Sequence, residues 1–251
     1  MKIIISPAKK MNRKKDYLQP RQQPACIQRT ERLMEYLKHL PFEELKALLN
    51  CSDSIAREAY QNYQEMDLVH NTLPAILAYE GIQYQYMAPQ IFEEPYYEYI
   101  EKNLRILSGF YGILRPFDAV VPYRLEMQAR LKTPFCNNLY DFWGDTLYEK
   151  LTKDGDDTVI DLASREYSKA VKPFKDQKVR WIECTFGERE QERVREKGVY
   201  VKMARGEMVR YMARHQIKNP EEIKDFTGLD YRYEESLSSQ NHFVFLKSAF
   251  H

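Results

Sequence analysis

The strongest constraint on the fold is the stretch at residues 107–127, LSGFYGILRPFDAVVPYRLEM. A short apolar run that begins at Leu104 leads into it, and glycines and then Pro116 and Pro122 interrupt the rest of the stretch. A short apolar run bounded by such breakers is typical of a buried strand, and a proline cannot donate a sheet hydrogen bond. The stretch therefore predicts a strand that leaves a sheet and continues as an irregular loop.

Two arginines stand in this loop among apolar residues, and an unpaired buried charge is strongly destabilising. One interpretation is internal pairing, Arg115 with Asp118 and Arg124 with Glu126, which would hold the loop to the core. The other is the wall of an anion-binding cleft, because a guanidinium matches phosphate or carboxylate and sites are often built on loops that follow strands. The sequence leaves both interpretations open.

Two further loops follow predicted strands in the same way. Ser6, Lys9 and Lys10 come after a strand at residues 1–5, and Ser164 comes after a strand at residues 159–163. Ligands of sheet proteins gather at the carboxyl ends of parallel strands, although exposed lysines are most often merely solvated and Ser164 is also a favoured helix N-cap. We therefore predict one cleft, lined by Ser6, Lys9, Lys10, Tyr111, Arg115, Tyr123, Arg124, Ser164 and Tyr167, with Lys202 as a further candidate.

Helices are predicted at residues 27–39 and 42–49, and a third helix begins after the polar turn that follows Asn50. Ser52 is the favoured N-cap of this third helix, and Asp53 is the alternative. Two short helices joined by a tight turn have the outline of a helix-hairpin-helix, in which backbone N–H groups meet a DNA phosphate. The usual glycine-containing turn is absent, so an ordinary helical hairpin is favoured on the residues alone.

A basic helix is predicted at residues 204–216. Its first residues would be Arg205 and Gly206 near an N-terminus, and Arg210 and Arg214 would share a face one turn apart. This pattern suits a phosphate-facing surface, and a solvated helix face fits it equally well. The other predicted elements are strands at 73–79, 105–109, 120–126, 231–233 and 242–246, a helix at 138–151, and a hairpin of strands at 179–186 and 199–203.

Composition narrows the class of protein. The 251 residues are 43% hydrophobic with no linker-like stretch, which favours one folded domain over residues 1–251. The net charge is +1, so nucleic-acid binding would require segregated charge. Four cysteines without a CxxC pair predict no metal site and no cofactor. The absence of a membrane-length apolar run and of a signal-peptide pattern predicts a cytoplasmic protein that does not enter a membrane.

Five stretches together resemble the YaaA peroxide-stress protein family: residues 107–127, IIISPAKKM at 3–11, NLYDFWGD at 138–145, VIDLASREYSKAVKP at 159–173 and KMARGEMVRYM at 202–212. They stand in the family's order and span nearly the whole chain. The resemblance implies a single-domain cytoplasmic protein that binds duplex DNA, limits oxidative damage and contains a helix-hairpin-helix. Lys10 replaces a threonine of some relatives, and residues 186–198 are shorter and more charged than in others.

We therefore expect an α+β fold, with a mixed central sheet surrounded by helices and a helix-hairpin-helix-like element. The expected function is binding of double-stranded DNA through phosphate contacts in the hydroperoxide response, which limits peroxide- and iron-linked damage. The alternative is an enzyme acting on a phosphorylated or nucleotide-like small ligand in the cleft, at Lys9, Arg115, Tyr123 and Arg124. A binding protein is favoured because Ser164 lacks a GxSxG context and no histidine spacing suggests a triad. The predicted DNA contacts are Ser52, Asp53, Ser54, Lys202, Arg205, Arg210 and Arg214.

Overall fold

The computed structural model describes residues 1–13, 18–191 and 193–248. Within these ranges the strands are β1 (Lys2–Ile5), β2 (Lys10–Met11), β3 (Leu73–Pro74), β4 (Tyr79–Glu80), β5 (Leu104–Ser108), β6 (Gly112–Leu114), β7 (Ala119–Val120), β8 (Thr158–Asp161), β9 (Arg180–Glu190), β10 (Arg193–Arg195), β11 (Tyr231–Tyr233) and β12 (His242–Lys247). The α-helices are α1 (Ile27–Lys38), α2 (Phe42–Leu49), α3 (Asp53–Gln64), α4 (Ala75–Ala78), α5 (Ile82–Met87), α6 (Glu94–Asn103), α7 (Leu139–Trp143), α8 (Thr146–Thr152), α9 (Arg165–Ser168) and α10 (Gly198–Arg214).

A mixed sheet forms the centre of a single α+β domain, as predicted. The strand order is β11-β12-β9-β8-β1-β5-β6, and β10 pairs with β9. The inner pairs β12-β9, β9-β8, β8-β1 and β1-β5 are parallel, whereas β11-β12, β5-β6 and β9-β10 are antiparallel. Strand β1 lies inside the sheet, between β8 and β5, and its residues Ile3, Ile4 and Ile5 are fully buried. A continuous apolar run is expected for a strand that is covered on both faces.

The chain order creates a crevice between β1 and β8. These strands are adjacent and parallel, with Ile3 opposite Ile160 and Ile4 opposite Asp161. The next strand of this sheet after β1 is β5, which lies toward one edge, and the next strand after β8 is β9, which lies toward the opposite edge. Connections that diverge in this way leave a crevice beyond the carboxyl ends of the two strands, where ligands of α/β sheets bind.

Several predicted strands are helical or irregular. Only the two ends of the apolar run at 73–79 are strands, because β3 pairs with β7 and β4 pairs with β2. The residues between them form the one-turn helix α4. The predicted strand at 120–126 ends at Val120, and the chain beyond it is irregular. Residues 199–203, predicted as a strand, belong to α10, and the hairpin partner of β9 is β10.

A glycine divides the helix predicted at 138–151. Gly144 has φ +51°, and α7 ends just before it while α8 begins at Thr146. A residue with positive φ cannot continue a right-handed helix, and glycine adopts this conformation without steric cost. No helix in the described part of the chain is both long enough and apolar enough to cross a membrane.

Candidate functional site

Two serines join the carboxyl ends of β1 and β8. The Ser164 backbone N–H donates to Ser6 Oγ at 2.8 Å, and the Ser6 hydroxyl donates to Ser164 Oγ at 3.2 Å. Ser164 occupies the N-cap position of α9, but its side chain makes no capping hydrogen bond. Its hydroxyl faces Ser6 across the crevice, so the two serines form the floor of a site between the strands.

Around these serines lies a cavity of about 420 Å³, here called the cleft. Its walls come from five segments that are far apart in sequence: the loop after β1, the start of α5, the loop at 123–126, the start of α9 and the first half of α10. The lining residues are Ser6, Pro7, Ala8, Lys9, Lys10, Glu80, Gly81, Ile82, Gln83, Tyr84, Tyr123, Arg124, Leu125, Glu126, Ser164, Glu166, Tyr167, Lys202 and Arg205.

Most of the predicted cleft residues do come together. The exceptions are Tyr111 and Arg115. Tyr111 is buried, and its hydroxyl accepts a hydrogen bond from the Val121 N–H at 3.0 Å. Arg115 lines a separate small cavity with Arg105. The cleft contains Ser6, Lys9, Lys10, Tyr123, Arg124, Ser164 and Tyr167, together with Lys202 and Arg205.

Arg124 is paired internally and also lies in the wall of the cleft. Its Nη2 lies 2.7 Å from Glu126 Oε1, and Lys9 Nζ reaches the same oxygen at 3.2 Å. These three side chains also line the cleft, so the internal ion pair forms part of its wall. The predicted pair of Arg115 with Asp118 is replaced by a backbone contact, in which the Arg115 N–H donates to Asp118 Oδ2 at 2.9 Å.

Arg205 lies inside α10 and not near an N-terminus, which corrects the sequence prediction. It lines both the cleft and a second cavity of about 580 Å³, which borders the carboxyl end of β8 and the middle of β9. Among the described residues its Nε has no hydrogen-bond partner. Burial lowers the pKa of Arg205, whereas the charges of Asp161 and Glu196 raise it. A half-buried cation with a shielded, unpaired Nε favours an anionic ligand.

Asp161 fixes the turn that carries Ser164. Its carboxylate accepts hydrogen bonds from the Ala163 N–H at 3.0 Å, from Trp181 Nε1 at 3.1 Å and from the Ser168 hydroxyl. Burial raises the pKa of Asp161, and these donors oppose that rise. The carboxylate acts on the cleft indirectly, by holding the backbone between β8 and α9.

Tyrosine hydroxyls form hydrogen bonds that hold the backbone of the cleft residues in place. The Tyr84 hydroxyl donates to the Ser6 carbonyl at 3.0 Å, and the Tyr63 hydroxyl donates to the Arg124 carbonyl at 2.9 Å. The Tyr123 hydroxyl lies 2.9 Å from that of Tyr79 and 2.7 Å from Ser108 Oγ. Burial raises the pKa of Tyr123 to about 12, so the phenol stays protonated and available as a donor at neutral pH.

Sequence reasoning missed Glu80, Gln83, Tyr84 and Glu166 as lining residues. Glu80, Gln83 and Tyr84 belong to no motif, and Glu166 lies within the stretch at 159–173, where Ser164 and Tyr167 drew attention instead. Gln83 and Glu166 also lie on helices too short to show a clear periodicity. Burial and the nearby Glu126 charge raise the pKa of Glu166, whereas the Gln128 N–H lowers it as a donor.

The turn between α2 and α3 lies outside the residues that line the cleft. Asn50 has φ +47° and ends α2, and Ser52 occupies the N-cap position of α3, as predicted, without a capping hydrogen bond from its side chain. The Cys51 thiol lies close enough to Arg124 for that charge to lower its pKa, although burial is the larger effect and raises it. Ser52, Asp53 and Ser54 are exposed, and Asp53 forms an ion pair with Lys46.

The basic residues of α10 fall into two groups, and Arg210 and Arg214 share a face as predicted. At 100° per residue, Arg210 and Arg214 lie about 80° and about 120° around the helix from Lys202, and Arg205 lies about 60° to the other side. With a rise of about 1.5 Å per residue, Arg214 is also about 18 Å from Lys202 along the axis. Lys202 and Arg205 therefore face the cleft, and Arg210 and Arg214 form a separate group.

Comparison with known proteins identifies the family. A family model described as "Peroxide stress protein YaaA" matches residues 1–237. A UPF0246 protein of Desulfitobacterium hafniense (strain Y51) is 59% identical over 248 residues, covering 99% of this chain and 98% of the relative. UPF0246 proteins of Lachnoclostridium phytofermentans and Pediococcus pentosaceus are 50% and 48% identical, with 98% and 100% of this chain covered and 96% and 100% of the relatives. The chain belongs to the peroxide stress protein YaaA family.

Proposed function

We propose that this protein binds double-stranded DNA during hydroperoxide stress, mainly through phosphate contacts centred on the cleft. The observation that carries the proposal is the convergence of five cationic side chains at one end of the sheet. They face three carboxylates, Glu80, Glu126 and Glu166, and so leave a local positive excess although the whole chain is near neutral. The five are Lys9, Lys10, Arg124, Lys202 and Arg205.

The helical hairpin extends this surface. The turn at Ser52, Asp53 and Ser54 is exposed, and it follows Cys51, whose thiol lies within reach of the Arg124 charge, so we propose that a duplex in contact with the cleft also meets the amino end of α3. Backbone N–H groups at a helix N-terminus bind phosphate without reading bases. Arg210 and Arg214 are a further proposed contact for a duplex that follows α10. A footprint of several such points fits the roughly 600 Å² or more that DNA-binding modules bury.

Phosphate contacts suggest how binding would limit damage. Duplex DNA holds a layer of condensed cations, and a protein that neutralises phosphates with lysine and arginine releases them. Ferrous iron is among the cations that a polyanion attracts. Displacing iron from the backbone would move its reaction with peroxide away from the DNA.

The first experiment measures salt dependence. The affinity for a fluorescent duplex of random sequence should fall steeply between about 50 and 200 mM salt, with a log–log slope of about −3 to −4 for about four phosphate contacts. A flat slope, or tight binding to one sequence only, would contradict the proposal.

Charge-reversal variants then locate the footprint. Lys202→Glu should weaken duplex binding about tenfold, because it replaces a phosphate contact with a repulsion. Lys178→Glu is the matched control, since Lys178 is exposed near the amino end of β9, away from the cleft. Equal losses from both variants would place the footprint elsewhere. Arg210→Glu and Arg214→Glu report whether the contact continues along α10.

A further inference from the structure

Polar atoms without partners are concentrated at the cleft. Among the described residues, five buried side-chain nitrogen or oxygen atoms lack a hydrogen-bond partner within the protein, and four of them belong to residues that line the cleft. The four are Gln83 Nε2, Arg124 Nε, Glu126 Oε2 and Arg205 Nε. Leaving such an atom unpaired costs on the order of 1–3 kcal/mol, so their grouping in one cavity indicates a ligand that completes them.

The four atoms require hydrogen-bond partners of two kinds. Gln83 Nε2 and the two arginines are donors and need acceptors, whereas Glu126 Oε2 is an acceptor and needs a donor. Glu126 Oε1 is already occupied by Arg124 and Lys9, which leaves Oε2 to the ligand. The phosphodiester of a DNA backbone does not satisfy this set, because it offers acceptors to the three donors but has no N–H or O–H for the carboxylate. The ligand must carry an N–H or O–H donor as well as anionic acceptors.

The walls and the size of the cleft narrow the choice. Tyr84, Tyr123 and Tyr167 contribute aromatic rings to the lining, and aromatic faces stack on nucleobases. A volume of about 420 Å³ is within the range of small-ligand sites and is enough for one nucleotide. Every nucleobase has a donor beside an acceptor on its Watson–Crick edge, which is the pattern that Glu126 and Gln83 require together.

We infer that the cleft holds a single nucleotide, with the base edge at Gln83 and Glu126 and the phosphate at Arg124 and Arg205. The four orphaned atoms are shielded from solvent, so a small shift of these side chains accompanies entry of the ligand. The nucleotide has two sources with the same chemistry, a free mononucleotide or a nucleotide extruded from duplex DNA. The second source rests on the proposed function, and the first does not.

Gln83→Met is the decisive variant. Methionine has a similar length but no donor, so the variant should keep or slightly increase the free energy of unfolding, because an unpaired buried amide is removed. Gln85→Met is the matched control on the same helix, since Gln85 is exposed. A purely structural role for Gln83 predicts the opposite, a loss of stability without a specific loss of binding.

Binding is measured by calorimetry with the four deoxynucleoside monophosphates and with inorganic phosphate. At least one nucleotide should bind about tenfold or more tightly than phosphate, and Gln83→Met should lose about tenfold of that affinity while Gln85→Met keeps it. Equal binding of nucleotides and phosphate, or no effect of Gln83→Met on any nucleotide, would overturn the inference. Either result would leave phosphate-mediated DNA binding intact.

A duplex that contains 2-aminopurine at an unpaired position distinguishes the two sources. Fluorescence of this base rises when it leaves the stack, so a rise that Gln83→Met abolishes supports an extruded nucleotide. Mononucleotide binding that depends on Gln83, without any duplex binding, supports the free nucleotide and overturns the proposed function. Duplex binding with neither a fluorescence rise nor mononucleotide binding overturns the inference alone.

Discussion

Gly206 is the point at which α10 and α5 pass closest to each other, and a methyl group there tests how the cleft is held. A Cβ atom at Gly206 would lie 3.0 Å from the Gln83 carbonyl carbon and 3.0 Å from the Met87 nitrogen, and closer still to the Gln83 oxygen. All three neighbours are backbone atoms, so no side chain can rotate away. The two helices would have to separate by roughly 1 Å to restore ordinary contact.

The expected magnitude is the balance of two opposed effects. Alanine is favoured over glycine inside a helix by about 1 kcal/mol, and overpacking a rigid contact costs about 1–3 kcal/mol. Because the contact is with backbone, we take the upper part of that range and expect Gly206→Ala to lower the free energy of unfolding by about 2 kcal/mol. Ligand affinity should fall as well, since α5 contributes Gln83 to the cleft and α10 contributes Arg205.

Urea unfolding followed by circular dichroism measures the change, with the slope m checked for constancy. Gly198→Ala is the control, because it lies at the first residue of the same helix and a Cβ there meets nothing within 4 Å. Gly198→Ala should be neutral or slightly stabilising. If Gly206→Ala is as stable as Gly198→Ala, the close approach of α5 and α10 does not position the cleft.

Of three further predictions, two concern the surroundings of the cleft and one concerns Asp118, which lines the separate cavity beside Arg105 and Arg115. Gly109→Ala would place a Cβ 2.9 Å from the Glu126 carbonyl carbon, so the free energy of unfolding should fall by about 2 kcal/mol and ligand affinity should weaken. Unchanged ligand affinity would mean that the contact at Gly109 does not position the cleft. Ser6→Ala removes the acceptor of the Ser164 N–H and should cost about 1 kcal/mol in thermal or urea unfolding, and no cost would mean that the two strand ends are held by other contacts. Burial raises the pKa of Asp118 from 3.8 to about 6, so protonation favours the folded state and the contribution of this group to stability falls as pH rises from about 4 to about 6. The unfolding free energy of the wild type relative to Asp118→Asn should therefore fall by about 3 kcal/mol over that window, and parallel pH curves would contradict this.

The central strands and the first helices were predictable because each of their sequence patterns fits only one kind of secondary structure. The run at β1 is apolar throughout, and the helix α2 was predicted with its observed bounds because Pro41 and Asn50 mark both ends. The cleft residues at strand ends were predictable for a similar reason, since parallel strands bring their carboxyl ends to one edge.

The failures have a common physical cause, which is that short apolar runs fit more than one structure. In the run at 73–79 only the end residues pair with β7 and β2, so the residues between them are free to form a helical turn. Residues 199–203 are enriched in residues that favour strands, yet they extend α10 by packing Val201 into the interior. This extension moves Arg205 away from a helix end and leaves it half-buried, which no local pattern indicates.

Because the cleft draws on segments from Ser6 to Arg205, it cannot exist in a partly synthesised chain. The floor requires β8 beside β1, and the last wall requires α10, so ligand affinity arises only after nearly all long-range contacts have formed. Such contacts form late in folding because loop closure must precede them. A chain synthesised only as far as β9 therefore lacks one wall of the cleft, and a ligand of the cleft would stabilise the complete fold by mass action.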